Sequence, residues 1–540
     1  MLSRITPCLL LFAALLGQKQ ASLPEGAPKA MAQIVGKEML LHATFLDSDE
    51  LGGRLTGSSG QLRAANYIAE QFALLGLEPL GDEVDGKIGY LQRYGITRTF
   101  VREAFLLQIG EQKFVDGFAV LGGKPRKVAV AGEVRFVGRG RTRGESAEVK
   151  EDETLDDVIP VAVIRTPRGP VGKKLSVEQK FGMSFQALSS LGKTAQALGK
   201  KGAKLVIFAL VDDPTGFTDV LNYVGLYPGK DLIAPRLPGV MDSTGMLAGL
   251  LGGTGDTMVL VLTPEKSALV FDALGVDRTA VGKYLTGEGE PVVSGKEAKG
   301  EIKLEVAFDA NATACNVVAC LRGSDAQLAS EAVVYSAHHD HIGSRMDGDV
   351  FNGADDNASG SSGLLAIAKA FAKSEARSLR SLVFLSVSGE ELGLWGSAYF
   401  ADNPTWPLPQ IIADINTDMI GRSGPESKPD EVTVTPSHDH KMFSTIVQDA
   451  ARFAERMQLG LQSGDKYYER SDHFNFAKKQ IPVVFFCTGE HEDYHQVSDT
   501  ADKLEPEKME RLARLAFWTG FEVANAKERP RTLGPSSDWK

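Results

Sequence analysis

The 540-residue chain has a formal charge of −11, with 59 Lys and Arg against 70 Asp and Glu. That acidic balance, without a basic helix or an aromatic-basic ladder, excludes a binder that tracks nucleic-acid phosphates. The length exceeds what one hydrophobic core usually fills, so two domains are expected.

The chain opens with "MLSRITPCLLLFAALLGQKQAS". Arg4 supplies a positive start and Ile5–Leu16 an apolar run too short for a bilayer core of about 30 Å. Residues 1–22 therefore read as a removable signal peptide, which implies a secreted or periplasmic protein with no membrane span in the mature chain. Of four cysteines, one lies in that leader, leaving Cys315, Cys320 and Cys487. This is no disulfide scaffold. In "TACNVVACLRG" the spacing places Cys315 and Cys320 on opposite faces of a strand, where they cannot pair.

After the leader, two helices are predicted around the glycine-rich "LDSDELGGRLTGSSG". In the second, Ala64, Ile68, Phe72 and Leu75 recur at the helical period. Strand-like segments follow to about residue 128. From 129 to 285 the character changes to short strands, a charged stretch "RGRTRGESAEVKEDETLDD" and a helix ending near Gly199, with no histidine or cysteine. This reads as an insert without catalytic equipment, dividing a main domain into 23–128 and 286–540. In the latter, apolar strands alternate with amphipathic helices, the pattern of an α/β fold with a mixed, mostly parallel sheet covered on both faces.

Eight of the nine histidines lie beyond residue 330, so any histidine chemistry is concentrated there. Four apolar runs each end in acids or histidines. "AVVYSA" leads to His338, His339, Asp340 and His341; "SLVFLSV" to Glu390 and Glu391; "IIADINT" to Asp418; and "IPVVFFC" to "TGEHEDYHQVSDT", with His491 and His495. The C-terminal ends of parallel strands share one rim, where open α/β sheets bind ligands. A fifth element, "NGADDNASGSSGLLAIAKAFAKS", places Asp355 or Asp356 just before a helix. Singly, each has an ordinary explanation: a solvated ring, surface charge, a helix cap. Five on one predicted rim are not independent, and together they indicate a metal site. Two imidazoles and three carboxylates without thiolate favour zinc, with cobalt or manganese fitting the same donors. Two cations sharing a carboxylate would hold a water between them, with one of the adjacent glutamates as ligand and the other as general base.

"AHHDHIG", "GADDNASG", "SGEELGLWGS", "INTDMIGR" and "DYHQVSDT" resemble the secreted di-zinc aminopeptidase family, whose relatives include glutamate carboxypeptidase II, the glutaminyl cyclases and the transferrin receptor. The resemblance covers roughly 30–128 and 290–525, and the 129–285 insert is similar to a β-rich protease-associated domain. It implies two Zn2+: one held by His338, Asp356 and Asp418, the other by Asp356, Glu391 and His495, with Asp356 bridging. It further implies Glu390 as general base, Asp340 holding the His338 ring, and Tyr494 donating to the developing oxyanion. Arg470, Asp472 and His473 are expected to line the cleft, and His339, His341 and His491 to be bystanders. The implied activity is removal of N-terminal residues from peptides. A related carboxypeptidase or dipeptidase, or a glutaminyl cyclase-like enzyme, is the alternative. A binding protein descended from such an enzyme would be expected to lack ligands, and none of the family set is missing.

Overall fold

The computed structural model describes residues 23–122, 124–167, 177–214, 216–237, 256–375, 377–425 and 427–539. The expected signal peptide lies outside them. The described residues form two compact units, one lying within 1–94, 313–343 and 350–540, the other within 95–312 and 344–349.

Among the described residues, the first unit is built on an eight-stranded mixed sheet. Four parallel strands form its centre, in the order Ser381–Val387, Ala332–His338, Ile411–Thr417, Val483–Cys487. Thr313–Leu321 runs antiparallel beside Ser381–Val387 and is followed at that edge by the short Glu78–Pro79. At the other edge Glu431–Thr435 lies antiparallel to Val483–Cys487 and pairs in parallel with Gly460–Ser463. Every residue of the Ala332–His338, Ser381–Val387 and Ile411–Thr417 strands is buried. Both faces are covered, as expected for near-continuous apolar runs in parallel strands.

Alternation along each strand sends side chains to two cores. Val333, Tyr335, Ala337, Leu382 and Phe384 pack with the helices Gly36–Leu46, Ser59–Leu74, Gly360–Ala372, Thr445–Arg456 and Pro506–Asn525. Val334, Val383, Leu385 and Val387 pack on the other face with residues of Trp395–Asp402 and His473–Lys478. Cys315 belongs to the first core and Cys320 to the second; both are free thiols.

The glycine-rich turn joins the first two helices as expected. Ser58 caps the second through its hydroxyl, which accepts from the Gln61 amide at 3.2 Å. Gly53 has φ +66°, and a Cβ there would lie 2.0 Å from the Gly343 carbonyl oxygen. Only glycine allows this turn to approach the loop after Ala332–His338 so closely.

The second unit has its own sheet. Arg126–Phe136 pairs antiparallel with Ala298–Asp309 and parallel with Val158–Val163. Leu205–Ala209 and Met258–Leu262 continue in parallel, and Phe118–Leu121 closes that edge antiparallel. The Val177–Gly199 and Pro264–Leu274 helices contribute to cores on opposite faces. This unit begins at Gly95 rather than at 129, and ends at Ala312 rather than at 285. The strands between 95 and 121 hydrogen-bond to Leu232–Pro235, Met258–Leu262 and Ala298–Asp309, partners more than a hundred residues downstream.

Phe384 is fully buried, with its ring centroid 5.9 Å from Tyr335 and 6.1 Å from Phe72. Phe384→Ala should destabilise the first unit by about 3–5 kcal/mol in urea denaturation. A loss below about 1 kcal/mol would contradict this packing.

Candidate metal centre

The central strands end in register: His338 lies opposite Val387, Ser336 opposite Asn416, and Thr417 opposite Phe486. The residues that follow them therefore emerge at one rim. There the structure brings together His338, Asp356, Glu390, Glu391, Asp418 and His495. His338 Nε2 lies 3.2 Å from Asp418 Oδ1 and 3.3 Å from Asp356 Oδ1. His495 Nε2 lies 3.1 Å from Asp356 Oδ2 and 3.0 Å from Glu391 Oε2. The two oxygens of Asp356 thus face two different histidines, with Glu390 Oε2 4.0 Å from His338 Nε2.

His495 Nε2 is buried and, despite two carboxylate oxygens at about 3 Å, satisfies neither as a hydrogen-bond partner. Ring nitrogen and carboxylate oxygens converging without hydrogen bonds is the arrangement of donors around a cation. The residues present therefore fit a divalent metal. Among the described residues, donor groups able to share an ion include His338 with Asp356 and Asp418, and His341 with Asp356 and Glu391.

Sequence reasoning set His341 aside. Its Nδ1 lies 2.5 Å from Glu391 Oε1 and 3.9 Å from Asp356 Oδ2. His341 lies three residues beyond the end of its strand at His338, so alternation gives no guide to its direction. His339 is structural: Nδ1 lies 2.9 Å from Ser386 Oγ, Nε2 lies 2.8 Å from Gln61 Nε2, and burial lowers its pKa to about 3. His491 Nε2 lies 3.1 Å from Asp355 Oδ2, while Asp355 Oδ1 accepts from the Gly421 amide at 2.7 Å. Asp355 thus tethers the loop, and Asp356 is the acid in the cluster. Asn357 supplies the helix-start hydrogen bond, its Oδ1 accepting from the Gly360 amide at 2.8 Å.

Several residues that escaped the sequence reading hold the cluster in place. The Asp499 carboxylate accepts from the amides of Asp355 and Asp356 at 3.1 Å. Ser471 Oγ donates to Asp418 Oδ2 at 2.8 Å, and Thr56 Oγ1 to Asp340 Oδ2 at 2.7 Å. Asp340 Oδ1 lies 3.6 Å from His338 Nδ1, which also sits 3.3 Å from the Asp340 carbonyl oxygen. Arg54, fully buried, donates to the carbonyls of Leu46, His339 (2.8 Å), Asn352 (2.6 Å) and Gly353 (2.9 Å). Its only sequence signal is its place in "ELGGRLTG".

The cluster's electrostatics follow from burial and mutual charge. Burial, with Asp418, Glu391 and Asp472, pushes the Glu390 carboxyl well above the usual range against the pull of His338. Burial favours protonation of Asp356 too, but His338, His495 and His341 outweigh it and hold it well below that range. For His495, burial lowers the pKa, yet Glu391 and Asp356 prevail and raise it to about 10.

A cavity of about 40 Å3 adjoins the acids, lined by Asp356, Glu390 and Asp418, by Tyr494, and by Arg470. Tyr494 stacks on His495 with ring centroids 3.9 Å apart. Asp472 and His473 do not line it. Both are fully buried, and the His473 ring stacks on Phe485 at 4.7 Å. The short helix beginning at His473 packs onto the sheet, which turns these two side chains inward.

Against this geometry, residues 316–519 match peptidase family M28. Apart from 344–349, the matched residues lie within the larger unit, and they include all five of the motifs that carry the resemblance. The chain is 24% identical over 282 residues to aminopeptidase YwaD of Bacillus subtilis (strain 168), covering 50% of this chain and 57% of that one. It is 36% identical over 265 residues to a probable zinc metalloprotease of Pyricularia oryzae, covering 40% and 51%. The chain spans little more than half the length of the curated relatives it matches. A solved zinc aminopeptidase of Bacillus subtilis, BSAP, shares the fold, with a TM-score of 0.51 at 17% identity over 92% of this chain and 96% of that one.

Arg54→Ala should destabilise the unit by at least about 3 kcal/mol, because four buried carbonyls lose their donor and the acids lose a cation. Urea denaturation reads this directly, and a change below about 1 kcal/mol would contradict it.

Proposed function

We propose that the protein is an exported di-zinc metallo-aminopeptidase that removes single residues from peptide N-termini. One observation carries the reading: the two oxygens of Asp356 face separate histidines, each paired with a further acid, Asp418 on one side and Glu391 on the other. That divides one cluster into two adjoining donor sets of zinc-like chemistry. In this reading His338, Asp356 and Asp418 hold one ion and Asp356, Glu391 and His495 the other. The names of the relatives, an aminopeptidase and zinc metalloproteases, support the same class. Export rests on the composition of residues 1–22; among the described residues no helix is long and apolar enough to cross a membrane. The second unit is read as a protease-associated insert, supported by its β-rich sheet and its lack of histidine and cysteine.

Bound at these ligands, a zinc pair would polarise the scissile carbonyl and lower the pKa of water at the site. The remaining work falls to the chain. Glu390, acting as the carboxylate 4.0 Å from His338 Nε2, accepts a proton from the attacking water and returns it to the leaving amine. Asp340, fixed by Thr56, holds the His338 ring. Tyr494, kept protonated by burial and by Asp356, Glu391 and Glu390, donates to the oxygen that gains charge.

Aminoacyl-nitroanilides with free and acetylated amines test the activity. Turnover of the free form alone, lost on chelation and restored by zinc, is expected; equal cleavage of acetylated substrates would refute an aminopeptidase. Glu390→Ala should abolish turnover while the protein retains both metals by plasma mass spectrometry. Residual activity above about 1% would remove Glu390 from its role, since general bases contribute roughly 10²–10⁴-fold. Asp356→Asn should lower metal content, because both donor sets lose a shared anionic oxygen. Full metal occupancy in that variant would contradict the bridge.

A further inference from the structure

The cavity beside the acids is not uniform. Its inner wall is apolar, formed by Met419, Tyr467, Phe485 and Cys487, which pack as one small hydrophobic cluster. Besides the acids Asp356, Glu390 and Asp418, the charged residues Arg470 and Glu490 line the same cavity. Arg470 Nη1 donates to Glu490 Oε1 at 2.7 Å, and the guanidinium lies 5.3 Å from the centroid of the Tyr467 ring. The Tyr467 hydroxyl accepts in turn from the Glu490 amide at 3.3 Å, so one aromatic ring supports both partners.

We infer that the Arg470–Glu490 pair determines which substrate side chain this cavity accepts: closed on itself, the pair presents no net charge beside the apolar wall and turns away acidic and basic N-terminal residues. The inference rests on the aminopeptidase reading, since it takes the cavity as the seat of the N-terminal side chain. A neutral side chain meets the four apolar residues and leaves the pair intact. A substrate carboxylate would have to displace Glu490 to reach Arg470, and a substrate ammonium would have to displace Arg470 to reach Glu490. Either exchange leaves one charge without its partner beside an apolar wall. Both side chains are half exposed, at 50% and 38%, so solvent screens the pair and a single substitution can unmask the remaining charge.

Glu490→Gln should leave Arg470 free to pair with a substrate acid. Arg470→Gln should leave Glu490 free to pair with a substrate amine. The test compares kcat/KM for leucyl-, glutamyl- and lysyl-nitroanilide in each protein, as ratios to the leucyl substrate, which cancels any loss of folded protein. The glutamyl ratio should rise at least about tenfold in Glu490→Gln and the lysyl ratio similarly in Arg470→Gln, the gain of one charge-assisted hydrogen bond. The double variant should show neither gain. Calorimetric binding of free leucine and glutamate should shift in the same direction, without depending on turnover. Ratios within about twofold of wild type in both single variants would overturn the inference, being far less than one such bond supplies. A wild-type protein inert on every unblocked substrate would instead refute the aminopeptidase reading beneath it.

Discussion

Confinement of like charges is the constraint around which the larger unit is arranged. Asp340, Asp356, Glu390, Glu391 and Asp418 converge at one rim, where burial and neighbouring acids push the carboxyls of Glu390 and Asp418 upward. The surrounding structure answers that repulsion with positive charge and hydrogen-bond donors. Arg54 brings a buried guanidinium behind the loops, whose charge is felt with Asp340, Asp356 and Asp499. Thr56 and Ser471 donate hydroxyls to Asp340 and Asp418. Three histidines converge on the remaining oxygens. A pair of divalent ions, as proposed, supplies the charge that this number of acids calls for.

Topology explains how segments so distant in sequence form one site. Parallel strands send their C-terminal ends to a common edge, and buried register fixes how far each reaches. His338 and Val387 are level, so the His338 side chain and the loop carrying Glu390 and Glu391 start from the same height. Asp418 follows Thr417, itself level with Phe486, which leads to the loop of His495. Asp356 enters from the start of a helix instead, held by its amide contact with Asp499. A site assembled this way depends on the sheet more than on any single loop.

Much of this could be read in the sequence because the strand ends are marked by abrupt changes from apolar runs to acids and histidines. Fold class and the gathering of His338, Asp356, Glu391, Asp418 and His495 followed from that punctuation and from a family resemblance. What escaped the sequence lay where local pattern carries no information. His341 sits beyond its strand, so its approach to Glu391 is set by the fold. Arg54 and Thr56 make contacts across 299 and 284 residues of sequence, and Asp499 across 144. Asp472 and His473 looked like cleft residues, but a short helix packs them inward. The boundary at Gly95 was hidden for the same reason, since strand partners of that segment lie far downstream and nothing in its composition marks a change.

The central claim is that one buried acid, Asp356, stands between two cation positions. Anomalous diffraction at the zinc edge, from crystals of wild-type protein grown with zinc, tests it most directly. The account predicts two peaks flanking the Asp356 carboxylate, one beside His338 and Asp418 and the other beside Glu391 and His495. A single peak, or peaks elsewhere with none touching Asp356, would contradict it.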